Sequence, residues 1–335
     1  MIDSPIPEDL IVATRRGLYC KPGDFYIDPW LPVDTAVITH AHGDHLRAGS
    51  GRYFCSAPGE AVTCLRLPAD VNLVTVAYDE EFALGGVKVS LHPAGHILGS
   101  SQVRIKYGAT VWVVSGDYKR DPDPTCAPFE VIACDVFISE ATFALPAYRW
   151  PDTQQVASEI FDWWQTNKRA GVASLLFAYA LGKAQRVLAE LTRFTNEPVY
   201  VHGAVASLVD AYRRCGVAML PTLPATLATS ADYRGALVVA PPSAAGSTWI
   251  RRFGDFRAGF CSGWMRVRGD RRRRGYDRGF VLSDHADWPS LLRTIRETGA
   301  RRVLLTHGYT DAMCRYLQEQ GVAATAVKTE YGAEE

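Results

Sequence analysis

The segment Thr39-His40-Ala41-His42-Gly43-Asp44-His45 puts three imidazoles and a carboxylate within six positions, directly after an apolar run. Neutral imidazole and carboxylate are good ligands for zinc or a similar divalent ion. A loop leaving a strand can turn His40 and His42 toward one point while Asp44 and His45 reach a second point nearby, a geometry that suits two metals. A lone histidine is ordinarily a surface or satisfied core residue. Four such groups side by side reverse that expectation.

The chain holds eight histidines, and others fall in telling places. His96 lies in the Gly-flanked turn Ala94-Gly95-His96-Ile97-Leu98-Gly99-Ser100. Asp117 ends Val113-Val114-Ser115-Gly116-Asp117, and Glu140 ends Phe137-Ile138-Ser139-Glu140. His285 sits in Ser283-Asp284-His285-Ala286-Asp287, and His307 in Leu305-Thr306-His307-Gly308. Nearly all follow strand-like runs. Functional groups of layered α/β folds gather beyond the carboxyl ends of strands, so residues far apart in sequence can meet at one rim.

The elements that must position these groups are legible in the residue pattern. The first 140 or so residues alternate short β-rich runs with Gly, Pro and Asp turns, among them 24–28, 36–39, 87–91, 102–106, 111–114 and 135–138. After Pro146 the pattern changes. Pro151-Asp152-Thr153 opens an amphipathic helix with Val156, Ile160 and Trp164 at four-residue spacing, and the strand-like 174–179 follows. Helix-like 183–194, strand-like 199–202, helix-like 204–215 and strand-like 236–239 continue an alternation that marks βα units on a mostly parallel sheet. Strand-like 279–283 and 302–306 then return to the β-rich pattern of the first 140 residues. The sequence thus predicts βα units inserted within one larger fold.

Composition bounds the reading. In 335 residues, 47% are apolar and 21% charged, which excludes a disordered chain. Thirty-six basic residues balance 36 acidic ones, so a nucleic-acid partner must be met by a local patch. One such patch lies between Met265 and Phe280, where seven arginines including Arg271, Arg272, Arg273 and Arg274 precede His285. Arginine's fork suits bidentate phosphate contact; a solvated charge run is the plainer reading. Lys119 and Arg120, just after Asp117, are placed to hold a flanking phosphate. No apolar stretch approaches the roughly 18 residues of a membrane span, and MIDSPIPEDL lacks the features of a signal peptide. Eight scattered cysteines with no CxxC pair favour reduced thiols and a cytoplasmic location.

HAHGDH, the isolated GH-x-x-GS histidine, the SGD aspartate and the later SDHAD and THG histidines resemble, in order and spacing, the metallo-β-lactamase fold of the β-CASP nucleases. GLYCKPGDFYIDPW, SGDYKRDPDPTCAPFE, FAYALGKAQR, SGWMRVRG-x-RRRR and FVLSDHADW look like the bacterial DNA-ligase-associated exonuclease family over nearly the whole chain. The resemblance implies an α/β protein: a metallo-β-lactamase αββα sandwich over 1–143 and 281–335, with a β-CASP α/β domain inserted at 144–280. It implies one metal held by His40, His42 and His96, a second by Asp44, His45 and His307, and Asp117 bridging both. The expected ions are two Zn²⁺, with Mn²⁺ as the alternative. Asp44, Glu140 and His285 are the implied catalytic residues, His285 giving the leaving oxygen its proton while Glu140 orients it and keeps it protonated; for Glu140 a strand-end cap is the plainer reading.

The activity so implied is metal-dependent DNA exonuclease action in repair, alongside an ATP-dependent DNA ligase and a helicase. A β-CASP ribonuclease is the rival, since RNA-directed members usually carry histidine at the position of His307. A lactonase or thioesterase would share HAHGDH but would not need residues 144–280, nor Glu140 with His285. A non-catalytic scaffold is disfavoured because every ligand position is filled.

Overall fold

The runs Thr110–Val114, Val136–Ala141 and Arg302–Gly308 are apolar on consecutive positions, the pattern of strands covered on both faces. In the computed structural model, which describes residues 9–226, 233–267 and 275–327, they form β10, β11 and β18. Two compact units are present. One comprises Met1–Pro122, Cys126–Pro146 and His285–Glu335; the other comprises Asp123–Thr125 and Ala147–Asp284.

The first unit holds two sheets. Strands β1 (Ile11–Thr14), β2 (Gly17–Cys20), β3 (Phe25–Ile27), β4 (Thr35–Val37), β5 (Arg52–Ser56) and β6 (Leu73–Val76) lie side by side in chain order, parallel from β3 onward. The second sheet adds β7 (Glu81–Leu84), β8 (Val87–Pro93), β9 (Ser101–Tyr107) and β19 (Ala323–Ala326), in the order β19-β18-β11-β10-β9-β8-β7. Side-chain alternation splits its residues between two cores. Trp112, Val114, Val136, Ile138 and Leu304 pack with Leu18, Ile27, Val37 and Phe54 of the first sheet. Val113, Phe137, Val303 and Leu305 face the other way, onto Trp288, Leu291 and Ile295 of the helix Trp288–Thr298 and Met313 and Leu317 of the helix Thr310–Glu319. The helix Trp288–Thr298 starts where the Asp287 side chain accepts a hydrogen bond from Ser290 N, and it stops at Gly299, whose φ of 66° suits a residue without Cβ.

The second unit is a six-stranded parallel sheet of β12 (Ala173–Phe177), β13 (Val199–Val201), β14 (Thr222–Pro224), β15 (Leu237–Ala240), β16 (Phe256–Cys261) and β17 (Arg278–Phe280), in the order β14-β13-β15-β12-β16-β17. The helix Thr153–Arg169 begins at Asp152, whose carboxylate accepts from Gln154 N and Gln155 N, and it buries Val156, Ile160, Trp163 and Trp164 on one stripe. Of the elements read from the sequence two differ in kind or length, and the strand Phe256–Cys261 is not among those read at all. Helix 183–194 is α-helical only over Lys183–Glu190 and tightens to a 3₁₀ turn at Leu191–Arg193. Of the strand-like 279–283, only Gly279 and Phe280 pair with β16, which ends at Cys261. Among the described residues no helix is long and apolar enough to cross a membrane.

Leu291 is 0% exposed between the second sheet and its helices. Leu291→Ala should cost about 2–5 kcal/mol, read as a lower urea midpoint for the first unit.

Candidate metal centre

The loop after β4 is held before it bears any ligand. Thr39 N and Thr39 Oγ1 both donate to the Asp28 carboxylate, at 2.8 and 2.6 Å, and His45 N and Leu46 N close a turn onto His42 O. Asp117 arrives from β10 through Gly116, where φ is 56° and a Cβ would come 2.6 Å from Thr39 Cβ. Only glycine fits there. His96 rides a turn in which Ser100 Oγ accepts from His96 N and Ile97 N.

These segments converge. His42 Nδ1 lies 3.1 Å from both His40 Nε2 and His96 Nε2, and Asp117 Oδ2 lies 3.5 Å from His40 Nε2 and 3.8 Å from His96 Nε2. Nitrogen ligands about 2 Å from a zinc ion at tetrahedral angles stand roughly 3.3 Å apart. The four side chains therefore fit one divalent ion, all their ligand atoms falling within 4.8 Å of one another. Beside them, His45 Nε2 is 3.4 Å from Asp117 Oδ2 and 3.6 Å from Asp44 Oδ2, and it is a buried nitrogen without a well-aligned hydrogen-bond partner among the described residues. The His307 ring stacks on that of His45 at 5.3 Å. Asp117 thus faces both groups of side chains.

Burial sets the protonation. It pushes the His40 imidazole well below its usual range, with nearby His45 adding to the effect, so His40 offers a lone pair. His307 is lowered for the same two reasons. Burial alone would raise the Asp117 carboxyl, but His45, His285 and His40 outweigh it and hold the group well below the carboxylate range. For His45 burial opposes the charged form, yet Asp117, Asp44 and Asp28 raise its pKa well above that of an ordinary imidazole.

His307 is aimed by a defect in the sheet. Glu140 pairs with Thr306 and Ala141 with Gly308, so His307 is the extra residue of a bulge, at φ 55°. Gly308 follows at φ 75°, and a Cβ there would collide with Ala141 O and Thr142 Cα. On the partner strand the Glu140 carboxylate accepts from Tyr118 N at 2.7 Å and faces His285 Nδ1 at 2.9 Å. Burial raises the Glu140 pKa against the opposing pull of His285. The His285 ring lies 4.7 Å from that of His96.

The other sequence candidates fall elsewhere. Lys119 is 2% exposed and its ammonium is 2.8 Å from Asp121, while Arg120 pairs with Glu297 at 2.7 Å and lies over Phe129. Arg271 through Arg274 lie outside the described residues. Of residues to which the sequence assigns no role, Gln185 closes the start of its helix, accepting from Gly182 N and donating to Ala180 O. His202 caps the helix Gly203–Arg214. Sequence reasoning missed Asp28, whose Oδ2 is 2.7 Å from His45 Nδ1. Like Asp117 and Glu140 it is an acid ending a strand-like run, and that was the available signal.

No family model matches the chain. Over 318 residues it is 32% identical to a "Probable DNA ligase" of Opitutus terrae, covering 94% of this chain and 31% of that protein. It is 29% identical over 143 residues to RNase aCSPSF2 of Saccharolobus solfataricus, covering 42% of this chain and 29% of the relative. With endoribonuclease ysh1 of Schizosaccharomyces pombe it shares 26% over 215 residues, or 52% of this chain and 28% of the relative. The chain thus spans about a third of the length of these relatives. A solved structure of a protein of unknown function from Enterococcus faecalis shares the α/β fold, with a TM-score of 0.58 at 12% identity over 89% of this chain and 80% of that one. The relatives bear out the resemblance carried by the motifs: the chain is a relative of the metallo-β-lactamase β-CASP nucleases.

Asp28→Asn keeps the shape of the side chain but removes the charge behind His45. Divalent-ion affinity should fall about 10- to 100-fold, measured by competition with a chelating dye.

Proposed function

We propose that the protein is a metal-dependent DNA exonuclease of the β-CASP group, acting in repair in the cytoplasm beside an ATP-dependent DNA ligase and a helicase. In this reading the two sheets of the first unit are the αββα sandwich of the metallo-β-lactamase fold and the second unit is the β-CASP insertion. The observation that carries it is the meeting of His40, His42, His96 and Asp117 at ligand spacing, with His45 Nε2 3.4 Å from Asp117 and the Glu140–His285 pair one ring away. His40, His42 and His96 would hold one divalent ion, Asp44, His45 and His307 a second, with Asp117 shared. When bound, two such ions, zinc or manganese, would supply hydroxide at neutral pH and neutralise charge on the phosphoryl oxygens.

The protein's own groups do the rest. Glu140 receives the Nδ1 face of His285 and leaves Nε2 as the atom that delivers a proton to the departing deoxyribose oxygen. Tyr118 N, bonded to the second Glu140 oxygen, keeps that carboxylate from turning away. Likeness to a ligase-named protein over 94% of the chain supports DNA as the substrate. The second reading, a β-CASP ribonuclease, is favoured by the ribonucleases that match about half of the chain.

Matched 5′- and 3′-labelled DNA and RNA oligonucleotides, with chelator, zinc or manganese, test the proposal. Stepwise shortening of DNA that chelator abolishes is expected. Digestion of RNA with DNA intact would establish the second reading, and chelator-resistant digestion would overturn both. His285→Ala should retain metal while slowing turnover of DNA by about 10²–10⁴-fold. Neutralising Arg271 through Arg274 should flatten the salt dependence of single-strand binding, by ~0.7 in log–log slope per lost phosphate contact, with metal content unchanged.

A further inference from the structure

The helix Lys183–Glu190 of the second unit carries two cations that the proposed chemistry leaves unused. Lys183 is 2% exposed and Arg186 is 1% exposed, and three residues apart they share one face. Lys183 Nζ lies 2.9 Å from Asp284 Oδ1, with both side chains almost wholly buried, and 4.4 Å from the centre of the Tyr179 ring. Arg186 Nη1 donates to Ser283 O at 2.7 Å, and Nη2 donates to Thr153 Oγ1 at 2.8 Å. Its Nε is 3.3 Å from Asp123 Oδ2, while Asp123 Oδ1 accepts from Thr125 N and Oγ1. The start of the helix is fixed by the Gln185 clasp.

Stripping water from two cations and two carboxylates is expensive, and well-packed apolar residues of similar volume would often give equal stability. What the charged network adds is location. It grips the carbonyl of Ser283 and the carboxylate of Asp284, the two residues that precede His285. On the other side Ala286 N donates to Tyr118 O at 2.6 Å, and the imidazole itself faces Glu140 at 2.9 Å. The backbone is therefore held at the two positions before His285 and at the one after it.

We infer that Lys183 and Arg186 are positioning residues for His285, fixing the Ser283-Asp284 backbone so that the imidazole meets the leaving oxygen. This rests on the reading of His285 as proton donor. A proton donor depends on placement, and a displacement of about 1 Å can cost on the order of 10²-fold in rate.

The test uses the full chain loaded with zinc or manganese and two substrates. The deoxyribose oxygen of a DNA oligonucleotide needs a proton to leave; the p-nitrophenolate of bis-p-nitrophenyl phosphate does not. Lys183→Met should lower kcat on DNA by about 10- to 100-fold, with KM for DNA, metal content and turnover of the nitrophenyl ester near wild type. Because Lys183→Met removes the cation 2.9 Å from the buried Asp284 carboxylate, Lys183→Met combined with Asp284→Asn is the control for folding: it should melt close to wild type and remain slow on DNA alone. An equal fall on both substrates, or recovery of the DNA rate together with stability in the double variant, would show the network to be purely structural and overturn the inference. His285→Ala separates the two claims. If it shows no DNA-selective loss, the proton-donor reading fails; if it does and the Lys183 variants do not, only the positioning role fails.

Discussion

One carboxylate oxygen organises the first unit. Asp117 Oδ2 stands between 3.4 and 3.8 Å from ring nitrogens of His40, His45 and His96, in a place where water scarcely reaches any of them. An isolated carboxylate could not stay ionised there. It does so because imidazoles surround it, and the imidazoles stay in place because backbone and buried hydroxyls hold their loops from behind. The glycine before Asp117, the threonine it presses on and the aspartate that threonine bonds form one chain of dependence from β10 to β3. Two sheets sharing a core are what bring those strand ends within reach of each other.

The chemistry was more legible in the sequence than the means of holding it. Histidines and acids betray themselves by type and by their place after apolar runs, so the groups that converge could be named from HAHGDH, SGD, SDHAD and THG. Asp28 was hidden because nothing local ties it to His45, seventeen positions later; its role exists only once β3 and β4 lie side by side. The bulge at His307 was hidden for a different reason. Its cause is a mismatch of register between β11 and β18, a property of two strands together. Lys119 shows the reverse case: a lysine just after Asp117 suggests an open cation, whereas in the structure its ammonium lies against Asp121, out of solvent.

Element type followed the apolar period closely where that period was strong. Helix Thr153–Arg169, with its aspartate cap and its buried stripe, is of this kind. The strand Phe256–Cys261 was not readable, since Ala258 and Gly259 are poor strand formers and the segment is a strand because β12 and β17 flank it. The phrase KAQR carried no role in the sequence for the same physical reason that Asp28 did not. Gln185 serves its own helix, and Lys183 and Arg186 act on residues a hundred positions away.

The bulge at His307 also limits how this centre can change over generations. A β-branched residue at φ 55° would be badly crowded, so exchanging His307 for valine or isoleucine is a backbone event as much as a side-chain one. To accept such a residue the strand would have to take up the extra position, and the pairing of Ala141 with Gly308 would slip by one. Glu140, which pairs with Thr306 just before the bulge, is the neighbour of the residue whose pairing would change. On the proposed roles, the bulge thus sets His307 and, one step along the partner strand, the carboxylate that faces His285, so the two roles share one irregularity of one ladder.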